Sequence, residues 1–256
     1  MKKYFKLLLI LGISTTYLLS KSVKVDSKII NIAGKQRMLT QKMLKTYAMV
    51  GMNNKFGNPT LSLQNSIKEF DNGIKSLSNF TKDKKLKNEL AISKKLWSKA
   101  KKSLKGKPSI KIVKTLQSNL SKLLLSSDKI TNLLIEKTKA KSSKIINIAG
   151  KQRMYSQQLA SLYMLKVWGV DDKKFDDKMQ TTMSNFKQAL DKLEKYPKNT
   201  DTINKLLKNS RKTFLFFDIM SKSKSKFIPS LIYKKSLDIL EDMEKIVLLY
   251  TKIEQK

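Results

Sequence analysis

Residues 27–38 read SKIINIAGKQRM, and the same twelve residues recur without a change at 143–154. The two copies lie 116 positions apart, and the sequence around them is only loosely similar. An identical run of this length indicates that the chain consists of two related halves. The repeated motif is therefore the first place to look for a function.

The motif fits one face of an amphipathic helix. At 100° per residue, one stripe carries apolar residues at its ends, with small residues, an Arg and a Gln in its middle. Glycine inside a helix costs about 1 kcal/mol relative to alanine, so its presence in both copies indicates close approach of another backbone or a ligand. The stripe comprises Ile30, Ala33, Gly34, Arg37, Gln41, Leu44 and Ala48 in the first copy and Ile146, Ala149, Gly150, Arg153, Gln157, Ala160 and Met164 in the second.

Arginine is rare in this chain, and its placement is selective. Of the 54 basic residues only three are Arg, and two of them, Arg37 and Arg153, occupy the same place in the motif. A planar guanidinium can hold a carboxylate or a small planar oxyanion with two parallel hydrogen bonds, which lysine cannot. The sequence therefore predicts anion-holding groups here. The alternative is that both arginines pair with carboxylates or helix-end carbonyls of their own bundle, because an unpaired buried charge is costly.

Other polar residues of the motif are candidates for the same site. Gln41 and Gln157 follow the arginines by one helical turn and would add amide donors. Asn31 and Asn147 lie on an adjoining face together with the motif lysines. The predicted ligand-binding set is Arg37, Arg153, Gly34, Gly150, Gln41, Gln157, Asn31 and Asn147.

The motif also carries a family resemblance. INIAGKQRMLTQKM at 30–43 and INIAGKQRMYSQQL at 146–159 resemble the N-terminal motif of NarX-like sensor domains. These are periplasmic helical modules of nitrate/nitrite sensor kinases and of type IV pilus methyl-accepting chemotaxis transducers. The resemblance implies that Arg37 and Arg153 match the arginine that holds nitrate or nitrite at a subunit interface of a four-helix module. Gly34 and Gly150 match the small residue before that arginine. The sequence of the motif is closer to the pilus-transducer branch of the family.

Composition excludes several classes of site. The chain contains neither Cys nor His, which removes disulfides, zinc sites with those ligands, Cys nucleophiles and His bases. The remaining Asp, Glu, Lys, Ser and Tyr form no recognisable catalytic constellation, so we expect no enzyme and no cofactor. Four acids at 171–177 follow a Trp-Gly turn and are typical of a helix N-terminus. Their spacing does not match a calcium loop, and no metal site is predicted.

The formal net charge is +34. Such a field attracts anions in general, including nucleic acid and acidic lipid. The lysines are spread over all the predicted helices, however, without an aromatic platform or a recognisable nucleic-acid motif. We interpret the charge as a solvated surface and expect no nucleic-acid partner.

The N-terminus is typical of an export signal. Two lysines precede an apolar run at 7–13, and a small-x-small sequence follows at 20–22. Residues 4–20 are also about long enough for an uncleaved membrane anchor. We therefore predict a periplasmic or otherwise extracytoplasmic protein, with the anchor as the alternative to cleavage. No second hydrophobic run follows, so the chain by itself is expected to be neither a kinase nor a chemoreceptor.

The remaining apolar periodicity predicts four helices per half, the first from about Val23 to Met49. The predicted fold is all-α, with two tandem antiparallel four-helix bundles at 23–140 and 141–256 after the N-terminal segment 1–22. Aromatic residues of the later helices, among them Phe70, Trp97, Phe186 and Phe214, are expected to fill the cores. Since no Pro or Gly occurs between Leu134 and Ile145, the bundles are predicted to stack end to end through a shared long helix, unless the chain kinks near 141–143.

These observations predict an exported sensor module that binds a small anion, nitrate-like or a small carboxylate, and signals through a partner protein. A homodimer is expected from the subunit interface that the resemblance implies, and the partner would be a membrane receptor or another envelope protein. The alternative function is a structural or adaptor bundle that binds no ligand, in which the arginines are internal ties.

Overall fold

The computed structural model describes residues 27–138, 141–222 and 228–253. In these ranges the chain is all-α, as predicted, and has eight helices with no strand. The helices are α1 (Ser27–Gly51), α2 (Pro59–Phe80), α3 (Lys84–Lys105), α4 (Ile110–Thr138), α5 (Lys141–Val167), α6 (Phe175–Glu194), α7 (Asp201–Lys222) and α8 (Pro229–Ile253). We refer to α1–α4 as the first repeat and to α5–α8 as the second.

Local sequence signals set several helix ends. Asn58 caps α2 by accepting a hydrogen bond from the Leu61 amide, and Pro59 follows at the first helical position, where its missing amide hydrogen costs nothing. Asp83 caps α3 in the same way, and Gly106 ends that helix. The turn and cap residues therefore fix where the helices stop, before any tertiary contact is considered.

Both repeats have the same helix arrangement. In the first, α1 packs against α2 and α4, and α4 packs against α3, while α2 and α3 contact each other much less. The second repeat reproduces these contacts with α5 in the place of α1. The predicted aromatic core fillers form one pair in each repeat: Phe70 with Trp97 at 4.3 Å between ring centroids, and Phe186 with Phe214 at 4.4 Å.

The two repeats lie side by side through their motif helices. The most extensive helix–helix contact among the described residues joins α1 to α5. Ser161 bonds to Gln41 across this contact, and Trp168 occupies the space beside Gly51, where a Cβ would lie 2.0 Å from its ring. Since contacts near the start of α1 involve the start of α5 and contacts near its end involve the end of α5, the two helices run parallel. The repeats are thus related by an approximate two-fold axis that runs between α1 and α5 and parallel to both.

The predicted end-to-end stack through a shared long helix is wrong, and the structure is nearer to the alternative, in which the chain bends near 141–143. α4 ends at Thr138 and α5 begins at Lys141, with residues 139–140 outside the described ranges. The hydroxyls of Thr138 and Ser143 lie 2.7 Å apart, and α5 runs alongside α1 rather than beyond it. The chain therefore reverses direction between α4 and α5. Burying the whole apolar stripe of both motif helices favours this arrangement over an end-to-end contact, which would leave most of each stripe exposed.

The predicted N-terminal signal or anchor at 1–22 lies outside the described residues. None of the described helices is long and apolar enough to cross a membrane.

Candidate functional site

The two motif arginines converge at the α1–α5 contact. A Cβ on Gly34 would lie 3.3 Å from Nη2 of Arg37 and 3.6 Å from Nη2 of Arg153. A Cβ on Gly150 would lie 3.4 Å from both of these atoms. Both guanidiniums thus sit against both glycines, and each arginine is only 1% exposed. The two glycines of the motif leave the room in which these two cationic groups lie.

Each arginine has a carboxylate from the last helix of its own repeat. Arg37 Nη1 donates to Asp128 Oδ1 at 2.5 Å, and Arg153 Nη1 lies 3.6 Å from Glu244 Oε1. Both acids follow their arginine by 91 residues, so they are equivalent positions of the repeat. The second contact is too long for a hydrogen bond, and Arg153 donates instead to Asn31 Oδ1 of α1 at 2.8 Å.

The motif lysines cross between the repeats and reach the same carboxylates. Lys35 Nζ lies 3.2 Å from Glu244 and 3.2 Å from Glu69. Lys151 Nζ lies 3.8 Å from Asp128. The group of side chains that we call the arginine cluster consists of Lys35, Arg37, Glu69, Asp128, Lys151, Arg153 and Glu244.

The arginine cluster carries more positive than negative charge, because four cations face three carboxylates. Burial lowers the pKa of Arg37, and the negative charge of Asp128 offsets part of this decrease. Burial also lowers the pKa of Arg153 to about 10; Glu244 opposes this, and the positive charge of Arg37 adds to it. Within the described residues, Nε of both arginines is buried without a hydrogen-bond partner. The two buried arginines therefore have unused Nε donors, while the lysines that make the cluster net positive are partly exposed to solvent.

The third arginine of the chain shows an ordinary structural tie for comparison. Arg211 donates to Glu194 at 2.7 Å and to Asp191 at 2.5 Å, near the surface. Hydrogen bonds to Glu194 raise its pKa above the usual value, the opposite of the effect at the motif arginines. Good pairing without deep burial thus distinguishes Arg211 from Arg37 and Arg153.

The predicted glutamines lie one turn further along and bond to other groups. Gln157 accepts from Lys45 Nζ at 2.6 Å and donates to the carbonyl of Ser236 at 2.8 Å. Gln41 donates to its neighbour Thr40 and accepts from Ser161 at 3.4 Å. Both are buried at the α1–α5 contact, but their amides are engaged there rather than at the guanidiniums. Asn31 does reach Arg153, whereas the equivalent Asn147 oxygen is buried without a hydrogen bond among the described residues.

Sequence reasoning missed the acids and one lysine. Asp128 and Glu244 were not singled out, although their equal spacing from the motif arginines in an acid-poor chain was a usable signal. Lys45 was also missed. It is fully buried, and its Nζ bonds to Gln157 and to the hydroxyl of Ser236 at 2.9 Å and lies 4.3 Å from the ring centre of Tyr233. Only packing shows that this lysine is internal.

In the described ranges no three or more His, Cys, Asp or Glu side chains are placed to hold a metal ion. The acids after the Trp-Gly turn pair with nearby lysines: Asp172 with Lys178 at 2.5 Å and Asp176 with Lys166 at 2.8 Å. These contacts account for that acidic segment as part of the turn into α6.

Fold and site together define an all-α protein of two four-helix repeats with two buried arginines at the contact between them. The sequence model of one family, type IV pili methyl-accepting chemotaxis transducer N-terminal domains, matches residues 18–127 and 136–208. The chain belongs to this family. No curated protein and no solved structure matches it.

Proposed function

We propose that this protein is a NarX-like sensory module that binds one small planar anion between Arg37 and Arg153. The observation that carries the proposal is the meeting of both motif arginines against both motif glycines inside one chain. Two guanidinium groups turned toward one point suit an oxyanion such as nitrate, nitrite or a small carboxylate. Membership of a chemotaxis-transducer family supports a signalling rather than an enzymatic role.

The charge of the site also supports an anionic ligand. Four cations and three carboxylates give the cluster a net positive charge, part of it on the partly exposed Lys35 and Lys151, and this charge attracts an anion. A monovalent anion would balance that charge and accept from the free Nε groups of Arg37 and Arg153. Asp128 and Glu244, about 30% and 35% exposed, would then turn outward or remain as outer partners of the two lysines.

A single chain supplies both halves of this site, because each repeat contributes one arginine. The subunit interface that the resemblance implies for the related sensors would be replaced by the contact of α1 with α5. A homodimer is then not needed to assemble the site. Anion binding would shift α1 against α5, a small helix displacement of the kind that packed bundles transmit. The signal would pass to an envelope partner protein from an exported, extracytoplasmic position.

A second function has its own support. The 2.5 Å bond from Arg37 to Asp128 is typical of an internal tie, and an adaptor bundle would need nothing more. In that case the cluster holds the repeats together and no small anion is recognised.

The test is thermal unfolding of the full chain in nitrate, nitrite, formate, acetate, sulfate and chloride at constant ionic strength. Constant ionic strength matters because any salt screens the repulsion within a protein of net charge +34. We expect selective stabilisation by one planar anion, about 2.7 kcal/mol at a hundredfold excess over its dissociation constant. The shift in melting temperature should vanish in Arg153→Lys, which keeps the positive charge but loses the planar guanidinium. It should persist in Arg211→Lys.

Equal shifts with every anion, or a selective shift that survives in Arg153→Lys, would rule out recognition by the arginine pair. A uniformly lowered melting temperature of Arg153→Lys, independent of the anion, would instead support the adaptor function.

A further inference from the structure

The first repeat contains a cavity far from the arginine cluster. It has a volume of about 560 Å³ and lies where α1 ends, α2 begins and α3 gives way to the turn before α4. Val50, Leu63, Ile67 and Leu104 form its apolar wall. Val50 follows Arg37 by thirteen residues, which places the cavity roughly 20 Å along α1 from the cluster. This volume falls in the range of small-molecule sites.

The mouth of the cavity is polar and positively charged. Thr60 and Gln64 line it from α2, and Lys105 and Lys107 line it from the end of α3 and the following turn. None of the described residues in its lining is acidic. A ligand with an apolar body and one anionic head would match both parts, since the body would contact the aliphatic wall and the head would meet two ammonium groups.

The cavity continues into an adjoining one of about 450 Å³, which Asn54 and Pro59 line and which shares Val50 and Thr60 with the larger one. At the positions 116 residues after Asn54 and Pro59 the second repeat has Val170 and Phe175, both only 4% exposed. Protein interiors are normally packed without large voids, so two adjoining openings at one end of a bundle indicate a use.

We propose that this cavity binds a small amphipathic carboxylate, an acid with an aliphatic or aromatic body, at a site separate from the arginine cluster. The carboxylate head lies between Lys105 and Lys107, and the body packs along Leu63, Ile67 and Leu104.

The experiment is calorimetric titration of the full chain with octanoate, octan-1-ol and octylammonium at constant ionic strength. We expect one octanoate per chain and at least about tenfold weaker binding of the alcohol and the ammonium compound. Nitrate in excess should leave octanoate binding unchanged, because it lacks the apolar body and binds elsewhere. This result would stand whether or not nitrate binds the arginine pair.

Two variants locate the binding. Thr60→Trp, on an exposed residue that lines both cavities, should fill the opening and abolish octanoate binding. Its matched control is Asp176→Trp, at the equivalent exposed position of the second repeat, which should bind normally. The double variant Lys105→Gln with Lys107→Gln should weaken octanoate about tenfold and leave octan-1-ol unchanged. Binding that is unaffected by Thr60→Trp, equal for the three probes, or absent would overturn the proposal.

Discussion

The two repeats share their arginines, motif lysines and last-helix carboxylates at the arginine cluster, and they differ in residue type two helical turns further along. In the cluster each arginine has a carboxylate 91 residues later, and each motif lysine reaches the carboxylate of the other repeat. Two turns on, the first repeat has the buried Lys45 where the second has Ser161. At the end of the first bundle Asn54 and Pro59 line a cavity, where the second repeat has the buried Val170 and Phe175. Duplication therefore preserved the centre of the contact, while the more distant layers diverged.

This difference shows that the approximate two-fold axis relates residue types at the cluster but not contact distances, since Arg37 lies 2.5 Å from its carboxylate and Arg153 lies 3.6 Å from its own. The guanidiniums of Arg37 and Arg153 contact the same two glycines, so a substitution in one motif alters the surroundings of the arginine in the other repeat as well. Lys45 and Ser161 face different neighbours, since Lys45 has Tyr233 and Ser236 beside it. Positions away from the axis are thus free to differ.

The largest expected effect concerns the two equivalent acids. Asp128→Asn should lower the free energy of unfolding by about 3 kcal/mol, because it leaves a buried guanidinium without its closest partner. Glu244→Gln should cost only about 1 kcal/mol, since Glu244 lies 3.6 Å from its arginine and Arg153 keeps its bond to Asn31. Urea unfolding measures both changes. The control is Glu241→Gln, at an exposed position, which should change the free energy of unfolding by less than about 0.5 kcal/mol.

If Asp128→Asn and Glu244→Gln lower the free energy of unfolding equally, the different lengths of the two arginine–carboxylate contacts do not affect stability.

An intermediate effect is expected at Lys45. Burial places its pKa well below the usual value, and the positive charge of Lys42 lowers it further. The groups that face it from α5 and α8 are Gln157, Ser236 and the Tyr233 ring, none of them anionic. Between the folded-state and unfolded-state pKa the unfolded chain binds more protons, so folding stability rises with pH through that window. Below the folded-state pKa the protein bears the full cost of a buried charge.

Lys45→Met should remove this rise, and at high pH it should cost about 2 kcal/mol for the two hydrogen bonds that the neutral amine donates. Urea unfolding between pH 6 and pH 10 measures the slope. Ser161→Ala, at the equivalent position, is the control and should keep the wild-type slope. A wild-type slope that persists in Lys45→Met would show that another group titrates.

The smallest effects are expected at the motif lysines. Lys35→Gln should cost up to about 1 kcal/mol and Lys151→Gln less, because these pairs are partly exposed and screened by salt. Lys35 reaches two carboxylates at 3.2 Å, whereas Lys151 reaches one at 3.8 Å. Both losses should shrink between 50 mM and 500 mM salt. A larger loss from Lys151→Gln would reverse the order that the distances predict.

Much of the fold was predictable from local patterns. The helix ends at Asn58, Pro59 and Gly106 follow from capping and turn residues that act within a few positions. The apolar stripe of the motif is buried in both copies as its periodicity predicts, Arg37 and Arg153 included. The scarcity of arginine marked these two positions before any contact was known.

The long-range contacts were decided only by the tertiary structure. Periodicity states which face of a helix is buried but not against which helix, so it allowed an end-to-end stack where α1 and α5 in fact lie parallel. The same limit hid Asp128 and Glu244, which reach their arginines only after 91 residues of chain have folded back, and it hid the burial of Lys45. The sequence by itself determined the helices and the residues of their inner faces. The tertiary structure determined which inner faces meet, because burial of apolar area is non-directional and the choice among possible partners depends on packing of the whole chain.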